Sequence, residues 1–141
     1  MQINYLGHCY LTQKLLPLLI SSGNALHPAR IINVASVSHY TCTSFSFDKM
    51  NDLNSWPGYL FQYQITKFLL ITYTMALADQ LKEKNVVAHA VCPGFALTEF
   101  WDKYPLSQKA IAKLLGWLSI GKSASEGAQS VLLGTTSLMY Y

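Results

Sequence analysis

The chain has 141 residues, of which 51% are hydrophobic, 13% aromatic and only 12% charged, with a net charge of +3. That length fits one domain with a substantial core, and the composition excludes an intrinsically disordered chain. The charge is too weak and too scattered to indicate a nucleic-acid-binding protein. The three cysteines lie far apart, and the four histidines show no paired spacing, so neither a disulfide framework nor a metal site is expected.

Residues 4–22 carry the first helical pattern. Three leucines at helical spacing share one of its faces: Leu11, Leu15 and Leu18. Pro17 predicts a kink or a turn there, because proline has no N–H to donate to the preceding turn. Residues 30–36 are a short β-branched run, typical of a buried parallel strand that ends at small polar residues. The polar residues 38–57 predict a long surface loop.

Residues 59–84 show the longest helical pattern, and Asn85 fits a helix stop. Its apolar stripe predicts a core or dimer surface rather than a substrate pocket, and consists of Leu70, Tyr73 and Leu77. Residues 86–92 form a second apolar run, which predicts a strand closed by the following Pro-Gly pair.

Residues 105–120 are amphipathic and predict a further helix. Residues 123–138 predict the last one, capped by Ser123 with Glu126 three positions later. The order α-β-α-β-α-α indicates an α/β fold with a parallel sheet. Because a sheet usually has about five or six strands, we expect a piece of a larger fold or a fold completed by a partner.

Candidate site residues follow the two predicted strands, because ligands of open α/β sheets bind at the carboxyl ends of the strands. Ser36 follows the first strand, and Ser38 is an alternative to it. The residues after the second strand are Pro93, Gly94 and Thr98.

Tyr63 and Lys67 stand four positions apart at the start of the long helix and therefore share a face. An ammonium beside a phenol stabilises the phenolate, which suits proton exchange with an alcohol or carbonyl. Tyr10 and Lys14 have the same spacing. They precede any predicted strand, so we interpret that second pair as helix surface.

Four stretches in this order resemble a known family: residues 4–8, 30–36 and 63–67, and 92–94 with Thr98. The chain resembles the short-chain dehydrogenase/reductases over essentially its whole length. Within that family it is most similar to the retinol-dehydrogenase-like branch, which includes the X-linked dehydrogenase/reductase and the WW-domain oxidoreductase. The implied fold is the C-terminal part of a Rossmann-type, doubly wound parallel sheet.

The resemblance also implies roles for individual residues. Tyr63 would be the catalytic acid/base, and Lys67 would bind the ribose of the nicotinamide cofactor. Ser36 would position the substrate oxygen, and Asn4 would hold a water that relays protons. The residues that would line the nicotinamide are Pro93, Gly94 and Thr98. The implied cofactor is NADP or NAD, with NADP favoured. The implied reaction is hydride transfer to or from an alcohol or carbonyl.

The implied substrate is small and apolar, such as a retinoid, steroid or polyprenoid. A homodimer is the implied assembly. Residues 109–122 have an apolar face with Trp117 and flanking lysines, which fits either a lid or core segment or contact with a membrane surface. No apolar run reaches the about 18 residues of a membrane span, and no signal peptide is recognisable. We therefore expect a cytoplasmic or endoplasmic-reticulum-associated protein.

The eight glycines form no Gly-x-Gly-x-x-Gly turn after a strand. We therefore expect residues 1–141 to be a partial domain that lacks the Gly-rich βαβ portion and the last strand. Two hypotheses follow: an NAD(P)-dependent oxidoreductase, or a truncated, inactive fragment that acts only through subunit pairing or has no independent role. Each candidate also has a structural explanation, as a helix-start group (Asn4), a strand stop (Ser36), a surface pair (Tyr63 and Lys67) or a plain turn (Pro93-Gly94).

Overall fold

The computed structural model describes residues 1–43, 45–46, 58–96, 106, 110, 113–114 and 121–136. The chain divides into two compact units, Met1–Ala90 and Val91–Tyr141. Helices alternate with strands along the described residues, and the sheet is parallel, so the predicted α/β class is confirmed. Whether the chain is a partial domain stays a prediction.

The predicted first helix is present and has two parts. A π-helical turn spans Gln2–Leu6, where the Leu6 N–H donates to the Met1 carbonyl five residues earlier at 3.3 Å. Helix α1 follows over Gly7–Ser22 and continues through Pro17, so the chain makes no turn at the proline. The face predicted from the three leucines is exposed, and α1 packs on the core through Leu16, Leu19 and Ile20 instead.

Both predicted strands are confirmed, and they are neighbours in a two-stranded sheet. Strand β1 spans Ala29–Val34 and strand β2 spans Val86–Val91. Helix α2, over Tyr59–Leu81, connects them, which is the crossover that parallel strands require. A turn follows α2 and ends at Asn85, whose φ of 50° is left-handed and stops the helix.

The segment between β1 and α2 was predicted as loop, and its first part is more regular than that. A 3₁₀ helix spans Val37–Thr41, with Ser36 as its N-cap. Strand β1 therefore ends before Ser36, because the Ser36 side chain already caps the next element. Most of the rest of the predicted loop lies outside the described residues.

The core of the first unit lies between α2 and the sheet. Leu77 and Leu81 of α2 pack against Ile31 of β1 and against Val86 and Ala88 of β2. Of the predicted apolar stripe of α2, Leu77 belongs to this core at 2% exposed and Tyr73 packs against it, whereas Leu70 is buried at 1% exposed outside this cluster. Of the two roles predicted for this stripe, core or dimer surface, the burial of Leu70 and Leu77 shows the first.

A close backbone contact joins the end of α1 to the turn before β2. A Cβ placed on Gly23 would overlap the Asn85 carbonyl oxygen and would lie 2.9 Å from the Ala29 nitrogen. The Ala29 N–H donates to the same carbonyl at 3.0 Å. Glycine at this position therefore lets the start of β1 and the start of β2 meet.

A buried polar link connects β1 to α2. The Asn33 side chain, 7% exposed, donates from Nδ2 to Oγ1 of Thr74 at 2.8 Å, and Thr74 is 2% exposed. The Thr74 hydroxyl in turn donates to the Leu70 carbonyl at 2.6 Å. Buried polar groups are costly to leave unpaired, so this chain of bonds fixes the helix against one position of the strand.

The second unit contains helix α3, over Ala124–Thr136. Its predicted capping box is confirmed: the Glu126 carboxylate accepts from the Ser123 N–H at 2.7 Å, and the Glu126 N–H donates to the Ser123 hydroxyl at 3.3 Å. The helix predicted over 105–120 falls mostly on residues outside the described part. Among the described helices, none combines the length and apolar character needed to span a bilayer.

The buried link predicts a difference between two threonines of α2. Thr74→Val leaves the Asn33 amide buried without its acceptor, which should lower the free energy of unfolding by about 1–3 kcal/mol. Thr72 is exposed and donates only to the Phe68 carbonyl of its own helix, so Thr72→Val should change stability by no more than about 0.5 kcal/mol. Urea unfolding of the two variants measures this, and equal losses would show that the link does not hold the helix.

Candidate active site

Helix α2 brings together the segments that carry the predicted catalytic residues of the first unit. Its N-terminal part bears Tyr63 and Lys67. The helix packs against the π-helical turn, which contains Asn4, against β1, and against the 3₁₀ helix that Ser36 caps. Residues far apart in sequence thus belong to one packed group of elements.

Lys67 links the end of β1 to the start of α2. Its Nζ donates to the Val34 carbonyl at 2.7 Å. The same nitrogen lies 5.7 Å from the ring centroid of Tyr63, as their spacing predicts. The lysine and the tyrosine are both half-buried. The ammonium therefore lies near both the strand end and the phenol ring.

The second Tyr-x-x-x-Lys pair has similar internal geometry and a different setting. The Lys14 Nζ lies 5.4 Å from the Tyr10 ring centroid. Both residues are exposed on α1, Tyr10 at 67%. Spacing alone thus produces the cation–ring contact twice. What separates the Tyr63 pair is the bond of its lysine to a strand end.

Ser36 and Ser38 place their hydroxyl groups side by side just beyond β1. The Ser36 hydroxyl donates to Oγ of Ser38 at 3.1 Å, and it accepts from the Ser38 N–H at 3.2 Å. The two serines that the sequence left as alternatives therefore have adjacent hydroxyl groups. A substrate oxygen held by one of them would lie near the other.

His39 supports this serine pair and was not predicted. Its Nδ1 lies 2.6 Å from the Ser36 carbonyl oxygen. Because a carbonyl only accepts, this contact assigns the proton to Nδ1. The signal available in the sequence was the position of His39, one helical turn after Ser36.

Asn4 is half-buried within the π-helical turn. Single π-helical turns occur frequently at functional sites, because they reposition one side chain relative to a regular helix. The neighbouring Tyr5 ring packs edge-on against the Tyr73 ring of α2, with centroids 6.5 Å apart. Gln13 donates to the Tyr73 hydroxyl at 3.3 Å. The turn is thereby fixed to the helix that bears Tyr63.

Two of the three cysteine thiols have a raised pKa, which makes them less reactive. Burial raises the pKa of the Cys9 thiol, although a hydrogen bond with Tyr5 opposes the shift. Burial likewise raises the pKa of Cys42. Cys9, Cys42 and Cys92 are all free and half-buried, as the composition predicts. Raised pKa values leave Cys9 and Cys42 protonated at neutral pH, so these two are poor nucleophiles.

Pro93 and Gly94 lie in the second unit, after β2. Gly94 has a φ of 81°, a left-handed conformation that favours glycine. Helix α3 packs on this turn: a Cβ placed on the buried Gly127 would lie 3.4 Å from the Pro93 Cβ. Thr98, the remaining predicted cofactor residue, falls outside the described residues.

Gln62 is a further residue that the sequence analysis missed. It precedes Tyr63 in the first turn of α2, and its Oε1 is buried without a hydrogen-bond partner among the residues that the structure describes. A buried acceptor is costly to leave unpaired. Only its position next to Tyr63 could have drawn attention to it.

Comparisons with known proteins show which family the chain resembles. No protein-family model matches the chain. It is 35% identical to human polyprenol dehydrogenase over 130 residues, which are 89% of this chain and 38% of that protein. It is 36% identical to human retinol dehydrogenase 14 over 132 residues, which are 91% of this chain and 37% of that protein. The chain belongs to the short-chain dehydrogenase/reductase family.

Solved structures of this family share the fold. The Pseudomonas aeruginosa RhlG/NADP complex matches with a TM-score of 0.66 at 22% identity, over 94% of this chain and 50% of that one. A Caenorhabditis elegans short-chain dehydrogenase/reductase with cofactor matches with a TM-score of 0.68 at 19% identity, over 99% and 48%. The predicted family, its retinol-dehydrogenase-like branch and the Rossmann-type fold are confirmed. The chain spans less than half the length of the two curated relatives.

The cap of α3 predicts an acid-sensitive helix end. Hydrogen bonds from the Ser123 side chain and N–H, with Lys122 nearby, lower the pKa of Glu126. A carboxyl with a lowered pKa stabilises the folded form above its ordinary pKa and loses that contribution as pH falls through the lowered value. The protection of the amides in the first turn of α3 against hydrogen exchange, relative to the intrinsic exchange rate at each pH, should therefore decrease on acidification. Glu126→Gln, which keeps an acceptor oxygen, should flatten this dependence, and an unchanged profile in that variant would contradict the assignment.

Proposed function

We propose that this chain carries the catalytic and nicotinamide-binding part of an NAD(P)-dependent oxidoreductase. The reaction would transfer a hydride between a nicotinamide and an alcohol or carbonyl of an apolar substrate. The observation that carries the proposal is the Lys67 ammonium, which joins the Val34 carbonyl at the end of β1 to the Tyr63 ring. That arrangement stands at the strand end where ligands of α/β folds bind.

The donor groups of this site fit the ribose end of a nicotinamide cofactor. A lysine ammonium has three donor hydrogens, and a phenol hydroxyl both donates and accepts, so the two suit adjacent ribose hydroxyls. Lys67 and Tyr63 would hold those hydroxyls. When bound, the cofactor supplies the hydride acceptor or donor. NADP is favoured over NAD, and the neighbouring RhlG structure is an NADP complex.

Tyr63 would move the proton. Its hydroxyl would take a proton from an alcohol or return one to a carbonyl oxygen, with the Lys67 ammonium 5.7 Å from the centre of its ring. Ser36 would hold that substrate oxygen by its hydroxyl, with Ser38 beside it. Asn4 would hold a water that returns the proton to solvent past Lys67. The position of Asn4 in a π-helical turn supports this last role, because such turns occur frequently at functional sites.

Within the second unit, the turn after β2 is proposed as a nicotinamide-binding wall. Pro93 and Gly94 would line it together with Thr98. Glycine suits such a wall, because it lets a ligand approach the backbone closely. The left-handed φ of Gly94 supports this assignment.

A retinoid, steroid or polyprenoid-like alcohol or carbonyl is the proposed substrate class, since the curated relatives include a polyprenol and a retinol dehydrogenase. Such substrates partition into membranes. A protein on the endoplasmic reticulum, or one in the cytoplasm that reaches a membrane surface, would have access to them. Residues 109–122 would supply the membrane contact. The exposed leucine face of α1 would serve a homodimer, because exposed apolar patches of this kind commonly mark protein interfaces.

A second candidate function is subunit pairing without catalysis. It is supported by the short match to the relatives, by the lack of a Gly-x-Gly-x-x-Gly turn in these 141 residues, and by the exposed apolar face of α1. In that case the residues around Tyr63 would be retained from an active ancestor and would have no catalytic role in this chain. The partial-domain organisation expected from the sequence applies to both candidates.

Cofactor titration of the 141-residue chain tests the proposal. NADPH and NADH, followed by nicotinamide fluorescence, should bind saturably to the wild-type chain. Lys67→Ala should weaken binding about tenfold or more, because it removes charge-assisted hydrogen bonds to the ribose. Tyr63→Phe should weaken it by a smaller factor, because the ring remains.

The second tyrosine–lysine pair supplies the matched control. Lys14→Ala removes an ammonium with the same relation to a tyrosine ring and should leave the dissociation constant within about twofold. Equal effects of Lys14→Ala and Lys67→Ala would indicate a nonspecific charge effect. A folded chain that binds neither nucleotide would contradict the proposal and favour the pairing function.

A further inference from the structure

Lys122 covers the left-handed glycine of the proposed nicotinamide wall. A Cβ placed on Gly94 would lie 3.4 Å from both Cδ and Cε of Lys122, and 3.5 Å from its Nζ. The space beside Gly94 is thus filled by the lysine's aliphatic stem. Lysine stems commonly pack along a surface while the charged end remains in water. Lys122 is exposed overall, which fits that arrangement.

The backbone around Lys122 holds the same turn. The Lys122 N–H donates to the Phe95 carbonyl at 2.8 Å, and Lys122 forms a parallel bridge with Ala96. One turn into α3, Gly127 lies against Pro93 and Ala96. The residues on both sides of Gly94 are therefore attached to the start of α3.

Gly94 itself needs such support. Glycine populates positive and negative φ with similar ease, so a free Pro-Gly turn would sample several conformations. A ligand that binds one of them has to order the turn, and that cost reduces its affinity. A side chain that packs against the turn, as the Lys122 stem does beside Gly94, favours the observed conformation and reduces this cost before the ligand binds.

We infer that Lys122 is a positioning residue for the Pro93–Gly94 turn, acting through its aliphatic stem. The inference rests on the proposed function, because the turn is there assigned to the nicotinamide site. It gives the N-terminal end of α3 a role in cofactor binding without contact between Lys122 and cofactor. The stem raises affinity by holding Gly94 in its left-handed conformation before the ligand arrives.

The charge of Lys122 has a separate task in this arrangement. Glu126 lies close enough for Lys122 to lower the pKa of its carboxyl, and Glu126 caps α3. The ammonium thus acts on the helix cap, whereas the stem acts on Gly94. The two effects are separable by substitution.

Three variants of the full chain separate them. Lys122→Met keeps the stem and removes the charge, Lys122→Ala removes both, and Lys113→Ala removes an exposed lysine elsewhere in the second unit. Cys92, next to Pro93, is a built-in reporter. Its alkylation by iodoacetamide, measured peptide by peptide, tests mobility of the turn, with Cys9 and Cys42 as internal standards. NADPH affinity is measured on the same samples.

Lys122→Ala should raise the Cys92 alkylation rate and weaken NADPH binding, each roughly fivefold, with Cys9 and Cys42 unchanged. Lys122→Met and Lys113→Ala should stay within about twofold of wild type in both measurements. A loss of affinity in Lys122→Met equal to that in Lys122→Ala would overturn the inference, because the charge would then be responsible. Unchanged alkylation in Lys122→Ala would overturn it as well.

The alkylation and affinity measurements distinguish a failure of this inference from a failure of the proposed function on which it rests. If the wild-type chain binds no NADPH, the proposed function fails. The alkylation rates still decide whether the stem of Lys122 holds the turn. Hydrogen exchange at the Phe95 and Ala96 amides should be faster in Lys122→Ala than in Lys122→Met and Lys113→Ala, as expected for the alkylation rates. The opposite ranking of the variants would contradict the role of the stem.

Discussion

The attachment of α2 to the end of β1 is the constraint on which the candidate site depends. Two consecutive strand residues make it: Asn33 bonds to Thr74 through its side chain, and Val34 accepts from Lys67 through its carbonyl. The first bond is buried and neutral, and the second is charged and partly exposed. Because they fix different turns of the helix, they limit both its rotation and its sliding along the strand.

This attachment fixes the positions of the groups that are proposed to be catalytic. Ser36 follows directly after β1, and Tyr63 lies one helical turn before Lys67. Once strand and helix are fixed, the serine hydroxyls and the phenol ring are held by the same two elements. Preorganisation of this kind is more effective than flexible placement, since binding then does not have to order the groups. The π-helical turn joins the assembly through the contact of Tyr5 with Tyr73.

Local features were predictable from the sequence because they depend on nearby residues. The spacing of apolar residues predicted the helices and both strands, and Ser123 with Glu126 predicted the capping box. The Tyr63–Lys67 contact followed from the geometry of one helix. The Asn33–Thr74 bond joins positions 41 residues apart, and no local pattern indicates it. The approach of Gly23 to Asn85 and the cover of Gly94 by Lys122 depend on tertiary packing in the same way.

Two elements differed from the local pattern for physical reasons. The leucine face of α1 was recognisable as apolar, yet the helix packs on the core through Leu16, Leu19 and Ile20 and leaves that face exposed. Periodicity shows which residues share a face, and it does not show what the face contacts. The 3₁₀ helix after Ser36 arose in a segment predicted as loop, because a serine N-cap can start a helical turn in polar sequence.

The residues around Lys67 and Tyr63 are proposed to form a nicotinamide-ribose site. The most direct measurement is an NMR titration of the ¹⁵N-labelled chain with nicotinamide mononucleotide, which contains the nicotinamide, ribose and one phosphate and needs no Gly-rich turn. Saturable shift changes are expected at the Val34–Ser36 and Tyr63–Lys67 amides and none at the Tyr10–Lys14 pair. Shift changes of equal size at both pairs, or none in a folded chain, would contradict the proposal.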